Sequence, residues 1–449
     1  MRHEKEAGFG GARRPSQHET PAESAELRAE QRMQSPSVRI AVLVNQQPRR
    51  KHRPSGLRAK TFAAVPLLDL SRQYRAIRDD VLAAVERVCT SQQFILGEEV
   101  AALEREIAVF IGVSAAVGCA SGTDALWLAL LAIGIQPGDA VLTTPFSFLA
   151  SASAIARAGA RPVFADIDPA TLHLDAQCAR TKLETSRIGA VLPVHLYGQC
   201  ADMDALQKLA EEFKIPIIED AAQAIGATWR GRRAGSLGVA AAFSFYPTKN
   251  LSAYGDAGLV TTGNPDYAEH MRRLRNHGGV KRYYHDELGA NSRLDAIQAA
   301  ILRVKLPHLE TWNSQRRERA ATYDRLFRKS GLAGPKGSFP IRLLQVSPHA
   351  CHVFHQYVIR ATRRDELRAF LTERKVGTEI YYPVPLHLQS CFAYLGYGEG
   401  DLPEAESAAR EVLALPMFPE LGEDEQAWVV ENIAEFYSCT PAAQHDAMR

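Results

Sequence analysis

The chain has 449 residues, 46% of them hydrophobic and 23% charged, with a formal net charge of +2. This length suggests two or three structural units with room for a sizeable core, and the near-neutral balance gives no reason to expect nucleic acid as a partner. No run approaches the ~18 apolar residues of a bilayer span, and the seven scattered cysteines, with no C-x-x-C pair, suit a reducing cytoplasm.

Residues 1–61 hold 13 Lys and Arg against 6 Asp and Glu, a surplus of about +7, so the remainder carries about −5. Residues 1–64 are polar and aperiodic apart from the short apolar run Val38–Val44, and their composition predicts a disordered basic extension. The run Arg49–Arg53 has no interleaved aromatics and reads as a solvated tail. Order is expected from Val65, with Ile77, Val81, Val85 and Val88 at helical spacing.

Strand-like runs follow at Ala140–Thr143, Pro162–Ala165, Gly189–His195 and Ile215–Glu219, separated by helical stretches such as the Leu206, Leu209, Phe213 stripe. This alternation predicts an α/β fold with a mostly parallel sheet covered on both faces. Two more strands are expected at Val239–Phe245 and Gly258–Thr262. Residues from Arg293 to Leu326 read as charged helix interrupted by Pro307, and the last part as a smaller C-terminal α+β domain with the Pro-rich turn Tyr382–Pro385. The expected division is a large domain over 65–310 and a small one over 311–449.

Three stretches carry chemistry. Ala120–Leu126 places Ser121, Gly122 and Thr123 before an apolar helix, where free N–H groups suit a phosphate or a hydroxyl simply caps the helix. Ile215–Glu219 runs into Asp220; strand carboxyl ends are where open α/β sheets bind ligands, although Asp220 also fits a helix cap. Ser244-Phe245-Tyr246-Pro247-Thr248-Lys249 ends on a lysine in small, apolar surroundings, and burial there makes the amine nucleophilic towards an aldehyde. Together they offer an anion site, a carboxylate for a protonated ring nitrogen and an aldehyde-capturing amine. Pyridoxal 5′-phosphate (PLP) needs all three.

From Pro66 to Tyr437 the chain resembles the DegT/DnrJ/EryC1/StrS family of sugar aminotransferases, through Phe94–Gly97, Ala120–Leu126, Thr144–Phe148, Leu196–Gln199, Glu219–Gln223, Ser244–Asn250, Asn276–Gly278, Asn291–Asp295 and Tyr381–His387. The resemblance implies the three-layer PLP-transferase type I fold. It matches Lys249 to the Schiff-base lysine, Asp220 to the partner of the pyridine nitrogen, Gln223 to the amide beside the phenolic oxygen, and Phe148 to the ring-stacking aromatic. Gly122, Thr123 and Ser244 match phosphate contacts. Asn291 matches one supplied by a partner subunit, which implies a homodimer with shared active sites. Arg293, Tyr381 and Tyr382 match places that meet the sugar nucleotide; His277 and His387 are further candidates, or plain core or surface histidines.

The implied reaction moves an amino group from L-glutamate to a keto group of a nucleotide-linked sugar, for glycan or natural-product sugar biosynthesis. Asn291–Asp295 and Thr378–Pro383 resemble members acting on 3-keto rather than 4-keto sugars. Neither a metal site nor a membrane or nucleic-acid partner is expected. The rival readings are a PLP enzyme of the same fold with another substrate, a desulfurase using Cys119 among them, a PLP-binding regulator without turnover, and a nucleic-acid-binding protein using the basic extension.

Overall fold

The computed structural model describes residues 62–335 and 337–439. The extension expected over 1–64 lies outside them except for its last three residues, of which Phe62 already packs against the core.

Helices α1 (Leu70–Ser91) and α2 (Glu98–Ile111) precede the sheet. Helix α1 starts where the Asp69 carboxylate accepts the Ser71 N–H at 3.0 Å, and it buries Ile77, Val81, Ala84 and Val88 along one face. The chain then alternates through β1 (Ala115–Cys119), α3 (Gly122–Ala132), β2 (Ala140–Thr143), α4 (Ala150–Arg157), β3 (Arg161–Phe164), α5 (Ala176–Thr185), β4 (Ala190–Leu192), α6 (Met203–Phe213) and β5 (Ile218–Asp220). Next come β6 (Ala240–Ser244), β7 (Gly258–Thr262), α7 (Pro265–Leu274) and α8 (Ala296–Lys305).

Strands β3, β2 and β4 form a parallel set. It continues into β5 through parallel bridges from Val191 to Ile217 and from Val194 to Asp220. Strand β6 runs parallel to β5, while β7 lies antiparallel between β6 and β1. The sheet is thus mostly parallel. The predicted strands are all present, but β4 and β5 are shorter than their apolar runs because those runs continue as single bridges rather than as ladders.

The pattern of burial makes the layers. Val117, Val141, Ile218, Ala242 and Val260 enter one hydrophobic cluster; their neighbours Ala116, Leu142, Ile217, Ala241 and Leu259 enter another. Successive strand residues point to opposite faces, so the sheet is covered on both sides, as a parallel sheet requires. Helix α3 lies on the first face, with Leu126, Leu128 and Leu130 at 1% exposure or less. Burying each of these stabilises the fold by about 1.5–3 kcal/mol.

A 3-10 turn around Pro307 separates α8 from α9 (Leu309–Lys329). The remainder holds the antiparallel strands β8 (Ile341–Leu343), β9 (Tyr357–Ala361) and β10 (Val412–Leu415), with α10 (Arg364–Glu373), α11 (Pro403–Glu411) and α12 (Glu423–Cys439). The expected boundary at 310/311 therefore falls inside α9, and residues 65–67 pair with the C-terminal part: Val65 N–H donates to Lys375 O at 2.9 Å, and Gly377 N–H to Val65 O at 2.8 Å. One apolar cluster also joins Val117 and Phe164 to Tyr323 and Val429. Among the described residues no helix is long and apolar enough to cross a membrane.

Candidate active site

Strands β1, β2, β4, β5 and β6 all end at one edge of the sheet, and the segments that carried chemistry in the sequence leave from that edge. The adjacent carboxylates of β5 show how strand alternation divides labour. Glu219 falls on the Ile217 face, where its oxygens accept the N–H groups of Gly235, Leu237 and Gly238, each at 2.7 Å, and lie 2.9 Å from His195 Nε2. This fully occupied carboxylate locks the loop before β6.

Asp220 falls on the other face. Its Oδ2 accepts the Ser151 hydroxyl at 2.7 Å and its Oδ1 the Ala222 N–H at 3.2 Å. No helix follows it, so it is not a helix cap. Burial raises its pKa, opposed by these two bonds and by the charges of Lys249 and His195. Lys249 follows β6, its N–H closing a turn onto Tyr246 O at 2.8 Å. Its amine is pushed down to about 8 by burial, against the nearby Asp220 charge. Behind it, Asn250 donates to Asn313 Oδ1 at 2.8 Å and to Val353 O at 3.0 Å, and its Oδ1 lies 3.2 Å from Nδ1 of buried His355. Burial, with the charges of Lys249 and Arg316, drives the His355 pKa well down, so this ring is neutral.

The phosphate-type loop sits beside the end of β6. Ser121 caps α3 by accepting the Asp124 N–H at 3.1 Å, so the capping reading of that serine holds. A Cβ on Gly122 would lie 2.6 Å from Ser244 Cβ, and one on Gly258 only 2.2 Å from Ser121 O. Only glycine lets these backbones approach, and the approach leaves Gly122, Thr123 and Ser244 together at a helix N-terminus. Ser292 Oγ donates to Asp124 Oδ2 at 2.7 Å. Its neighbour Asn291 is exposed.

Gln223 is a strut. Its Oε1 accepts the Tyr197 N–H at 2.6 Å, and its Nε2 donates to the Tyr382 hydroxyl at 3.1 Å. The Tyr197 hydroxyl donates to Tyr381 O, so the Tyr381–Tyr382 segment is tied to the sheet edge from two sides. Phe148 is 59% exposed, its ring centroid 6.2 Å from that of Tyr382. Arg293 Nη1 donates to Asn276 Oδ1 at 3.2 Å, while its buried Nε has no partner among the described residues. His277 is exposed. His387 is buried, with Nε2 at 3.1 Å from Glu406 Oε1, and Cys119 is buried with its thiol pKa driven up by burial. Ser147, Ser151, Tyr197 and His355 were not singled out in the sequence. The positive φ of 58° at Tyr197, which marks a tight turn before Gly198, is visible only in the backbone.

These parts fit PLP: a glycine-made anion cradle, a buried carboxylate, a lysine with a lowered pKa and an exposed aromatic ring. The model of the DegT/DnrJ/EryC1/StrS aminotransferase family matches residues 75–434. The chain belongs to this family. It is a PLP-dependent sugar aminotransferase. It is 52% identical over 373 residues to a "pleiotropic regulatory protein" of Geobacillus stearothermophilus, covering 83% of this chain and 98% of the relative. It is 46% identical to the dTDP-3-amino-3,4,6-trideoxy-alpha-D-glucose transaminase of Streptomyces venezuelae, covering 83% and 96%. The crystal structure of S. venezuelae DesV in complex with a ketimine intermediate superposes with a TM-score of 0.79 at 44% identity, over 83% of this chain and 98% of that one.

Proposed function

We propose that this aminotransferase carries an amino group from L-glutamate to the C3 keto group of a nucleotide-linked sugar, with Lys249 and Asp220 as its catalytic pair. The observation that carries the reading is the Lys249 amine, lowered to about 8, close enough to buried Asp220 to feel its charge. When bound, PLP supplies an aldehyde that accepts amines and a protonated ring that draws electrons from the donor's α-carbon.

The chain's own residues do the rest. Gly122, Thr123 and Ser244 would hold the cofactor's phosphate, Gln223 would meet its phenolic oxygen, and Phe148 would pack on its ring. Asp220 would keep its ring nitrogen protonated. Lys249 would anchor it through the aldehyde, and the Lys249 amine would serve as the base for the donor's α-proton and return that proton later in the transfer. Tyr381, Tyr382 and Arg293 meet the sugar nucleotide. His387, buried against Glu406, and His277, exposed, are not needed by this reading. C3 is favoured by the Streptomyces relative, whose named product carries its amino group at C3.

We further propose a homodimer in which Asn291 completes the partner's phosphate site. Asn291 is exposed, and Val280, Tyr283, Tyr284 and Leu288 nearby in sequence are exposed at 59%, 80%, 64% and 96%, an apolar display that suits a covered surface. A cytoplasmic place of work fits the free thiols of all seven cysteines.

The Geobacillus relative's name supports a second reading, a regulator without turnover. One experiment separates the two. The PLP-loaded protein should be yellow, bleach with L-glutamate, and recover its colour with a dTDP- or UDP-linked 3-keto sugar. Recovery with a 4-keto sugar instead would move the reading to C4. A yellow protein indifferent to every amino donor would favour the regulator, and one that never binds PLP would end both readings.

A further inference from the structure

Asp220 does not stand alone on its face of the sheet. Ser151, 1% exposed in the first turn of α4, places its hydroxyl 2.7 Å from Asp220 Oδ2. Ser147, 4% exposed on the preceding loop, lies 2.8 Å from the Ser151 hydroxyl. Among the described residues these hydroxyls have no other bond that explains their burial: the N-cap of α4, Leu149, has no side-chain cap bond, and neither Ser147 Oγ nor Ser151 Oγ bonds a backbone group.

A hydroxyl has one proton and two lone pairs. If Ser151 gives its proton to Asp220, it can only accept from Ser147, so the chain runs one way, Ser147 to Ser151 to Asp220. With the Ala222 N–H at 3.2 Å on Oδ1, both carboxylate oxygens then receive donors, an arrangement that favours the ionised form. If Asp220 is protonated on Oδ2, both hydroxyls must turn round, and Ser151 is lost as a donor. The other groups whose charge reaches Asp220 are Lys249 after β6, His195 after β4 and the Tyr382 phenol from the C-terminal part. His195 Nε2 is already engaged with Glu219, and the Tyr382 hydroxyl accepts from Gln223. Only the Ser151 hydroxyl and the Ala222 N–H donate hydrogen bonds to the Asp220 carboxylate among the described residues.

We propose that Ser151, supported by Ser147, is a positioning residue for the amino-transfer site: it spends its proton on Asp220 and so holds that carboxylate ionised and aimed for the cofactor's ring nitrogen. The role assigned to Asp220 comes from the reading above, whereas the hydroxyl chain is a property of the protein itself. Burial works against it, because desolvation favours neutral Asp220 and the Ser151 bond opposes that shift. A hydrogen bond to a charged group is strong enough that its loss should raise the Asp220 pKa by about one unit or more.

The first measurement uses cofactor-free protein. The infrared C=O stretch of a protonated carboxylic acid is followed against pH and assigned to Asp220 by its disappearance in Asp220→Asn. In Ser151→Ala the band should appear at a pH about one unit or more above that of the wild type. Ser151→Thr should restore the wild-type pH, and Ser147→Ala should give a smaller upward shift. A Ser151→Ala band that appears at the wild-type pH overturns the proposal. Should Ser151→Ala fail to fold, an unshifted Ser147→Ala does the same. In the PLP-loaded enzyme, the visible band and the acid limb of kcat should move upward together in Ser151→Ala, with KM for the sugar nucleotide unchanged. A wild-type protein that refuses PLP would sink the functional reading, while the cofactor-free result alone decides the role of Ser151.

Discussion

Two lysines of this protein, Lys249 half-buried and Lys305 buried, have the same lowered pKa and opposite fates. Lys249 and Lys305 are each pushed down to about 8 by burial. Lys305, in α8, is 2% exposed; its ammonium donates to Ser252 O at 2.8 Å and Ser252 Oγ at 3.0 Å, and sits 4.3 Å from the Tyr254 ring centroid. Lys249 has a carboxylate in electrostatic range, yet its amine has no hydrogen-bond partner among the described residues. A saturated lysine braces a loop, whereas one with an idle amine is available for chemistry. A depressed pKa alone therefore does not mark a reactive group; an amine not engaged by the protein's own polar groups is the added sign.

The sharpest way to break this contrast is to replace each lysine by methionine. Lys249→Met should lower turnover by at least about 10³-fold, the scale of a lost general base compounded by a lost covalent anchor, and Lys305→Met should leave turnover within about tenfold of the wild type, since it removes a brace and no reacting group. Steady-state rates with L-glutamate and a nucleotide-linked keto sugar decide it, and comparable losses in both variants would erase the distinction.

A medium-sized effect is expected in the pH dependence of PLP capture. Only the neutral amine attacks an aldehyde, so capture by the cofactor-free protein should rise about tenfold per pH unit below about 8 and level off above it. Stopped-flow formation of the yellow band measures this. A plateau reached only near the ordinary lysine pKa would mean that Lys249 is more hydrated than its surroundings suggest.

The smallest effect concerns stability. The folded-state pKa of Lys305 lies below the ordinary lysine value of 10.5, so its burial penalty is full below about pH 8 and is relieved as the pH rises towards the unfolded value. Relative to Lys305→Met, the wild type should gain about 1–3 kcal/mol between about pH 8 and pH 10, read from urea unfolding midpoints. A difference that stays flat across that window would show the ammonium fully compensated by Ser252 and Tyr254.

Much of the site was legible because it lies on regular elements. Lys249, Asp220 and Gly122 stand at the ends of predicted strands or the start of a predicted helix, and order along the chain was enough to pair them. The supporting polar groups were not. Ser147 and Ser151 flank the start of an Ala-rich helix, where serine is unremarkable, and the bond from Ser151 to Asp220 spans 69 residues of sequence. His355 belongs to the C-terminal part and meets the charges of Lys249 and Arg316 only through the fold. One contact across the expected domain division was hidden for a similar reason: the pairing of Val65 with Val376 joins distant segments, and no local periodicity reports it.

The alternation that sends Glu219 and Asp220 to opposite faces turns two neighbouring letters into a directional code. Combining Glu219→Asp with Asp220→Glu would keep the charge, the composition and the strand. It would nonetheless draw one carboxylate back from the donors that surround it and push the other a methylene further into the site. An inventory of residues would register no change, while the loop and the site would both lose their fit. For this chain the meaning of an acid lies in the parity of its position along β5.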